Sequence, residues 1–250
     1  MERNSKLTAL ILHVKQIGEN NRLVTFLCSE KGVFNAVLFG GPKSKLKSLV
    51  QPYHLGTLWI YTDKAKNSVK ITDFEPVKYH TEIRENVYKT WCASFLAELI
   101  IKTEASGENE KTFKLANAFL DGICASSQDE CKIALLRFIW RYLSIMGLQT
   151  DCKECFCCSE GLDSDAYFSV SENGFLCPEC APSDNRQDFF YLSQESVAFL
   201  QSVTYLSPKE SRNFPLHYSS SSQLHDFLFF LIDKACEHKL KTLEMEQIFR

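Results

Sequence analysis

The chain has 250 residues, 45% of them hydrophobic and 24% charged, the balance of an ordinary globular protein with room for one large domain or two to three small ones. No apolar run approaches the roughly 20 residues of a transmembrane helix, so no membrane role is expected. A net charge of −3 hides an asymmetry: residues 1–80 carry twelve Lys and Arg against six Asp and Glu, and the remainder carries sixteen against twenty-five. A basic module followed by an acidic one implies that only the first meets a polyanion.

The first eighty residues read as short strands separated by turns. Leu7–Val14 is β-rich and ends at Gly18-Glu19-Asn20-Asn21; Arg22–Cys28 follows and breaks at Ser29–Gly32; Val33–Phe39 stops at Gly40-Gly41-Pro42. After a basic segment, Tyr53–Tyr61 and Val69–Val77 complete five strands, a pattern that suits a small closed barrel of the OB type. The period then becomes helical. Val87, Trp91, Phe95 and Leu99 fall four apart within Arg84–Glu104, and further helices are expected over Lys111–Ala125 and Glu130–Met146, the last stopping at Gly147. A helix beginning near Ser193 and running through Val203, a loop marked by Pro208, Pro215 and Ser219–Ser222, and a final helix over about 223–240 complete the chain. The fold class expected is α+β: an OB-like barrel over 1–80, then a helical domain over 81–250 carrying a small insertion at about 150–182.

That insertion holds the clearest chemistry. Cys155-x-x-Cys158 and Cys177-x-x-Cys180 have the paired spacing of a zinc ribbon. Two residues between cysteines let both sulfurs face one ion, and four thiolates close a tetrahedral structural zinc site with no open position for substrate. Cys152 and Cys157 make the frame ambiguous, since Cys152-x-x-Cys155 overlaps it. Cys155 with Cys158 is preferred because Cys177 and Cys180 then answer across a hairpin, signalled by Asn173-Gly174 between the apolar runs Ala166–Val170 and Phe175-Leu176. Buried free thiols or a redox pair are the other reading. Eleven cysteines without a secretory cleavage pattern favour metal thiolates in a reducing compartment, with the cytoplasm as the expected address.

The best nucleic-acid candidate is the segment Gly40–Ser48, in which Lys43, Lys45 and Lys47 alternate with other residues after a strand. Lys15, Arg22 and Lys31 extend the patch if the strands curl into a barrel; a solvated flexible loop is the bland alternative. Aromatics of the barrel (Phe26, Phe34, Phe39, Tyr53, Trp59, Tyr61) are candidates for base stacking, although strand alternation is expected to turn most of them inward. The six histidines fall in no metal-binding frame, and no nucleophile elbow, Walker loop or dinucleotide fingerprint is present, so enzyme activity has no support.

The order of these parts resembles the bacterial RecO family of recombination and repair proteins. The likeness rests on Leu10–His13, Gly18–Thr25, Glu30–Gly32, Gly40–Leu46 and Leu49–Tyr53, then on Leu135–Phe138, Met146–Leu148, the paired cysteine frames, Tyr167–Ser169 and Gly174–Cys177. It sets Cys155, Cys158, Cys177 and Cys180 on the family's metal positions, with Ser159 standing where a glycine is common. The resemblance implies a non-catalytic protein of the nucleoid that binds single- and double-stranded DNA and anneals complementary strands. It further implies action with RecR, and with RecF and RecA as further partners, to help RecA replace single-stranded DNA-binding protein. The apolar final helix (Phe227, Leu231), with Lys234, Lys239 and Lys241, is the expected receptor for that protein's acidic C-terminal tail. A scaffold that joins proteins without touching DNA is the runner-up, and a zinc hydrolase a third reading.

Overall fold

Five strands close into a barrel in the computed structural model of the chain, which describes residues 4–40, 45–182, 188–236 and 239–245. They are β1 (Asn4–Ile17), β2 (Asn21–Cys28), β3 (Gly32–Leu38), β4 (Leu55–Asp63) and β5 (Ser68–Lys78), in the closed order β1-β2-β3-β5-β4. Antiparallel pairs make every seam except β3–β5, which is parallel where Val37 meets Lys70. β1 is long enough to serve two neighbours. Its first half pairs with β4 from Asn4↔Tyr61 to Leu10↔Leu55, and its second with β2 as far as Ile17↔Asn21.

Alternation decides the core. Ala9, Ile11, Val24, Phe26, Leu58, Ile60 and Phe74 turn inward and are buried, so each strand contributes every second residue to one apolar interior. The stretch read as a basic loop contains a short helix, α1 (Leu46–Leu49), whose Leu46 and Leu49 pack on this core while Val50 is part of it. His54 is held below the ordinary histidine value by burial, and its Nδ1 lies 2.7 Å from Leu49 O. Gly56 is required by close approach: a Cβ there would sit 2.8 Å from Pro76 Cα of the neighbouring strand.

After a 3-10 turn at Thr81–Glu85 come α2 (Val87–Lys102), α3 (Asn109–Ala125) and α4 (Gln128–Ile145). Asn86 caps α2 by accepting from Lys89 N, and α2 buries Trp91, Phe95, Leu96, Leu99 and Ile100. The far end of the chain returns to this helix: in α8 (Lys241–Glu244) the amides of Lys241 and Thr242 donate to Glu98, and Trp91 Nε1 donates to Thr242 O at 2.9 Å. Residues 4–131 and 239–245 thereby form one compact unit and residues 132–236 another, the division falling within α4.

The second unit holds a three-stranded sheet, β6 (Ala166–Ser169), β7 (Gly174–Leu176) and β8 (Phe189–Leu192) in the order β7-β6-β8, with α5 (Gln194–Tyr205), α6 (Pro208–Arg212) and α7 (Tyr218–Ala235). Several details differ from the sequence reading, among them that α7 ends at Ala235 and does not reach residue 240. β8 and α6 are additional elements. α7 begins at Tyr218, because Ser219–Ser222, which read as loop, form its first turn, with Ser220 buried and its hydroxyl 3.1 Å from Ser193 Oγ. Serine suits such a turn, where its hydroxyl can serve backbone groups that lack helical partners. α6 is closed at its end by Arg137, which donates to the carbonyls of Ser211 and Arg212 at 3.2 and 3.0 Å.

Candidate metal centre and nucleic-acid surface

Two tight turns build the cysteine site. In the first, Ser159 N donates to Cys155 O at 2.9 Å, and Cys155 N donates to Glu160 O at 2.7 Å; in the second, Cys180 N and Ala181 N donate to Cys177 O. The β6–β7 hairpin, paired through Phe168↔Phe175 and Ser169↔Gly174, holds the second turn against the first. Phe156 lies over Gly174, where a Cβ would come within 2.9 Å of its own. As a result Cys155, Cys158, Cys177 and Cys180 place their sulfurs within 4.8 Å of one another.

This geometry fits a metal. Cys158 Sγ and Cys177 Sγ are 3.8 Å apart, the edge of a tetrahedron whose arms are the ~2.3 Å of a zinc–sulfur bond. Burial would raise the Cys155 thiol, but the amides of Cys158, Cys177 and Cys157 outweigh it and bring it down to about 6. Cys180 is driven the other way by side-chain hydrogen bonding to Cys177 and then Cys158. Four such sulfurs cannot ionise together without a cation between them. Of the overlapping frame, Cys152 lies outside the four: it is fully buried, 3.9 Å from Thr204 Oγ1, with its thiol pushed by burial up to about 11. Cys157 is exposed and outside the four. Among the described residues this is the one group of Cys, His, Asp and Glu side chains arranged to hold a metal ion.

The basic candidates fall into separate places. Arg22, on the core-facing side of β2, donates from a guanidinium nitrogen to Lys47 O at 3.0 Å, so Arg22 and Lys47 are brought together at the end of α1. Lys15 is exposed and pairs with Leu23, one register step from Arg22. Lys45 is exposed beside α1, and Lys43 lies outside the described residues. Lys31 sits in the β2–β3 turn, at the opposite end of the hairpin from the Arg22↔Leu38 pair, roughly 20 Å away at ~3.4 Å per residue. Sequence reading missed Lys6, Lys64, Lys66 and Lys70, which are spread over β1, the β4–β5 turn and β5. Among the described residues no carboxylate pairs with any of these lysines; the barrel's ion pair is Lys78 with Asp121 on α3.

The barrel aromatics divide. Phe26 and Phe34 stack on each other in the interior with centroids 5.4 Å apart, and Tyr53 bonds through its hydroxyl to Ser94. Phe39, Trp59 and Tyr61 point outward instead, Phe39 with 51% of its surface exposed. Of the partner-binding candidates, Phe227 is fully buried among Trp140, Phe168, Phe175 and Phe190, and Leu231 is also buried. Phe227 therefore joins α7 to the hairpin core. Lys234 is exposed and donates to Val170 O at 3.3 Å, while Lys239 and Lys241 belong to the other unit, Lys239 paired with Glu244.

No helix among the described residues is long and apolar enough to cross a membrane. The family profile described as Recombination protein O N terminal matches residues 1–80, and Recombination protein O C terminal matches residues 84–244. Similar curated proteins are each named DNA repair protein RecO. That of Oceanobacillus iheyensis is 28% identical over 72% of this chain and 69% of its own length. That of Bacillus cereus is 30% identical over 72% and 71%, and that of Desulforamulus reducens 24% identical over 98% and 95%. With its closed five-stranded barrel, helical region and clustered cysteines, the chain belongs to the RecO family of DNA repair proteins.

Proposed function

We propose that this protein is a DNA-binding recombination mediator that holds single- and double-stranded DNA on its barrel and anneals complementary strands. With RecR it helps RecA load onto DNA covered by single-stranded DNA-binding protein, and RecF is a further partner. The observation that carries the reading is the set of barrel lysines, Lys6, Lys15, Lys64, Lys66 and Lys70, that have no carboxylate partner among the described residues. Such charges neutralise phosphates and release counterions, each phosphate on a single strand adding about −0.7 to the slope of log affinity against log salt. Annealing needs only this neutralisation and transient contact with two strands; no covalent bond changes, and the role is not enzymatic.

The four cysteines hold one structural zinc ion, which when bound supplies folding energy and leaves no open coordination position. X-ray absorption should return a shell of four sulfurs. For the acidic tail of single-stranded DNA-binding protein, the exposed Lys239 and Lys241 are the residues to change; unaltered tail-peptide anisotropy after Ala substitution at both would remove them from that role. The whole reading is tested by titrating single- and double-stranded oligonucleotides at several salt concentrations. Affinity that falls with salt supports it, whereas a protein-joining scaffold has neither affinity nor slope.

A further inference from the structure

The pleat of the small three-stranded sheet sorts its aromatic residues onto two faces. Tyr167 and Tyr191 are opposite one another in the β6–β8 pairing, and Phe189 lies two residues before Tyr191, so these three rings share one face. Phe168 and Phe190 take the other face and pack on Phe227 of α7. Tyr167, Phe189 and Tyr191 are therefore on the outer face, where an antiparallel sheet ordinarily presents polar side chains to water. Tyr191 keeps 45% of its surface exposed. Together with Ala181 and Pro182, which follow the second cysteine turn, the three rings line a cavity of about 360 Å³, the size of a small-ligand site.

Charge selects the class of ligand. Residues 151–182 carry seven Asp and Glu against one Lys, and among the described residues no Lys or Arg lines the cavity. Ring faces are negative as well, and a cation over them is drawn in by the quadrupole. The rings of Tyr167 and Tyr191, with centroids 5.6 Å apart and planes inclined at 56°, form a corner and not a flat stack. Hydrogen bonding then decides which cation. Asp165 is the carboxylate beside the rings, and each of its oxygens already accepts a bond, Oδ2 from the Tyr191 hydroxyl at 2.8 Å and Oδ1 from Gln194 N at 2.9 Å. A primary ammonium or a guanidinium brings several N–H donors, more than a wall of rings and phenol hydroxyls can accept, and a desolvated donor without a partner is costly. A quaternary ammonium brings the same charge with no N–H.

We infer that this cavity is a binding site for a quaternary or trimethylated ammonium group, held against Tyr167, Phe189 and Tyr191 by cation–π attraction and by the field of the surrounding carboxylates. The group is carried by a free small cation of the choline type or by a trimethylated lysine of another protein, and the recognising chemistry is the same for both. The inference is independent of the DNA-binding reading above.

The test titrates the full-length protein with tetramethylammonium and with choline, reading the saturation that passes from the protein to the N-methyl protons by NMR. Both should bind. Dimethylbutanol, the neutral isostere of choline with carbon in place of nitrogen, should bind about ten-fold more weakly, and methylammonium, which keeps its N–H donors, should bind more weakly than tetramethylammonium. Phe189→Ala and Tyr191→Ala should each weaken choline binding by about five-fold, whereas Tyr191→Phe, which keeps the ring, should retain it. Should an alanine variant fail to match the parent's circular dichroism, the neutral isostere and methylammonium decide alone. A trimethyllysine peptide that binds more tightly than choline identifies a protein-borne group, and one that binds more weakly a free cation. Choline no tighter than its neutral isostere, methylammonium as tight as tetramethylammonium, or folded alanine variants of parental affinity would each overturn the inference.

Discussion

Ser159 has a φ of 61° at the close of the first cysteine turn. An L-residue with a Cβ is strained there by about 1–2 kcal/mol, and glycine is not. Ser159→Gly should therefore raise the stability of the protein by about 0.5–1 kcal/mol after the extra freedom of glycine in the unfolded chain is subtracted; a denaturant midpoint that stays put or falls would refute it. A second residue-scale balance lies at the barrel's exit. His80 Nδ1 is 2.6 Å from Tyr53 O, and its Nε2 is 2.9 Å from Asp121 Oδ1. Partial burial would raise the Asp121 carboxyl, but hydrogen bonds from Lys78 and His80 outweigh it and hold it below the ordinary carboxylate value. A depressed folded value means stability that is present above the unfolded value and lost as pH falls through the folded one. Asp121 is 42% exposed, so its removal should cost only about 1 kcal/mol. Asp121→Asn should show this deficit at neutral pH in urea melts, and the deficit should vanish as the pH drops below the normal carboxylate range.

The ribbon and the barrel strands were legible as elements because their signals are local. Asn173-Gly174 announced the hairpin, although Asn173 takes the left-handed turn position at φ 50° while Gly174 enters β7 opposite Ser169. Alternation announced β4, yet the same alternation that buries Leu58 and Ile60 puts Trp59 and Tyr61 outside, and reading aromatics as core obscured that. The hairpin's own core is shared with α7 through Phe227, which predicts an uneven response to metal loss. Chelation should abolish hydrogen-exchange protection at Phe156, Ser159, Cys177 and Cys180, whose amides close the turns, because structural zinc supplies ~10–16 kcal/mol in small ribbons. α5 and α7 should keep theirs; protection that survives at the turns, or is lost throughout, would contradict it. In the barrel, Gly56→Ala drives a methyl into the Glu75–Pro76 backbone, and backbone cannot move aside as a side chain would. A loss of about 1–3 kcal/mol is expected from thermal melts, and a neutral change would show that the β4–β5 bulge relaxes.

At the scale of the whole molecule, composition marked the division of charge along the chain but not its seams. The +6 balance of residues 1–80 marks the barrel, and the remaining −9 marks the rest. No local pattern could disclose that Thr242 would accept from Trp91, 151 residues earlier, nor that Lys31 would fall at the far end of its hairpin from Arg22. Those are products of closure, which converts positions distant in sequence into one register. The same closure makes a charge experiment sharper than a count of lysines. If the barrel's outward lysines hold the strand, Lys6→Ala, Lys15→Ala and Lys70→Ala together remove three phosphate contacts, and the salt slope for single strands should become less steep by about 2. Lys31→Ala, at the far end of the β2–β3 hairpin, should leave the slope where it was. Because slope reports the number of counterions released and not the tightness of binding, the two variants remain distinguishable even if both weaken affinity. A change in slope for Lys31→Ala about a third as large as that of the triple variant would mean that phosphates are held by the barrel's diffuse charge and not by these three lysines.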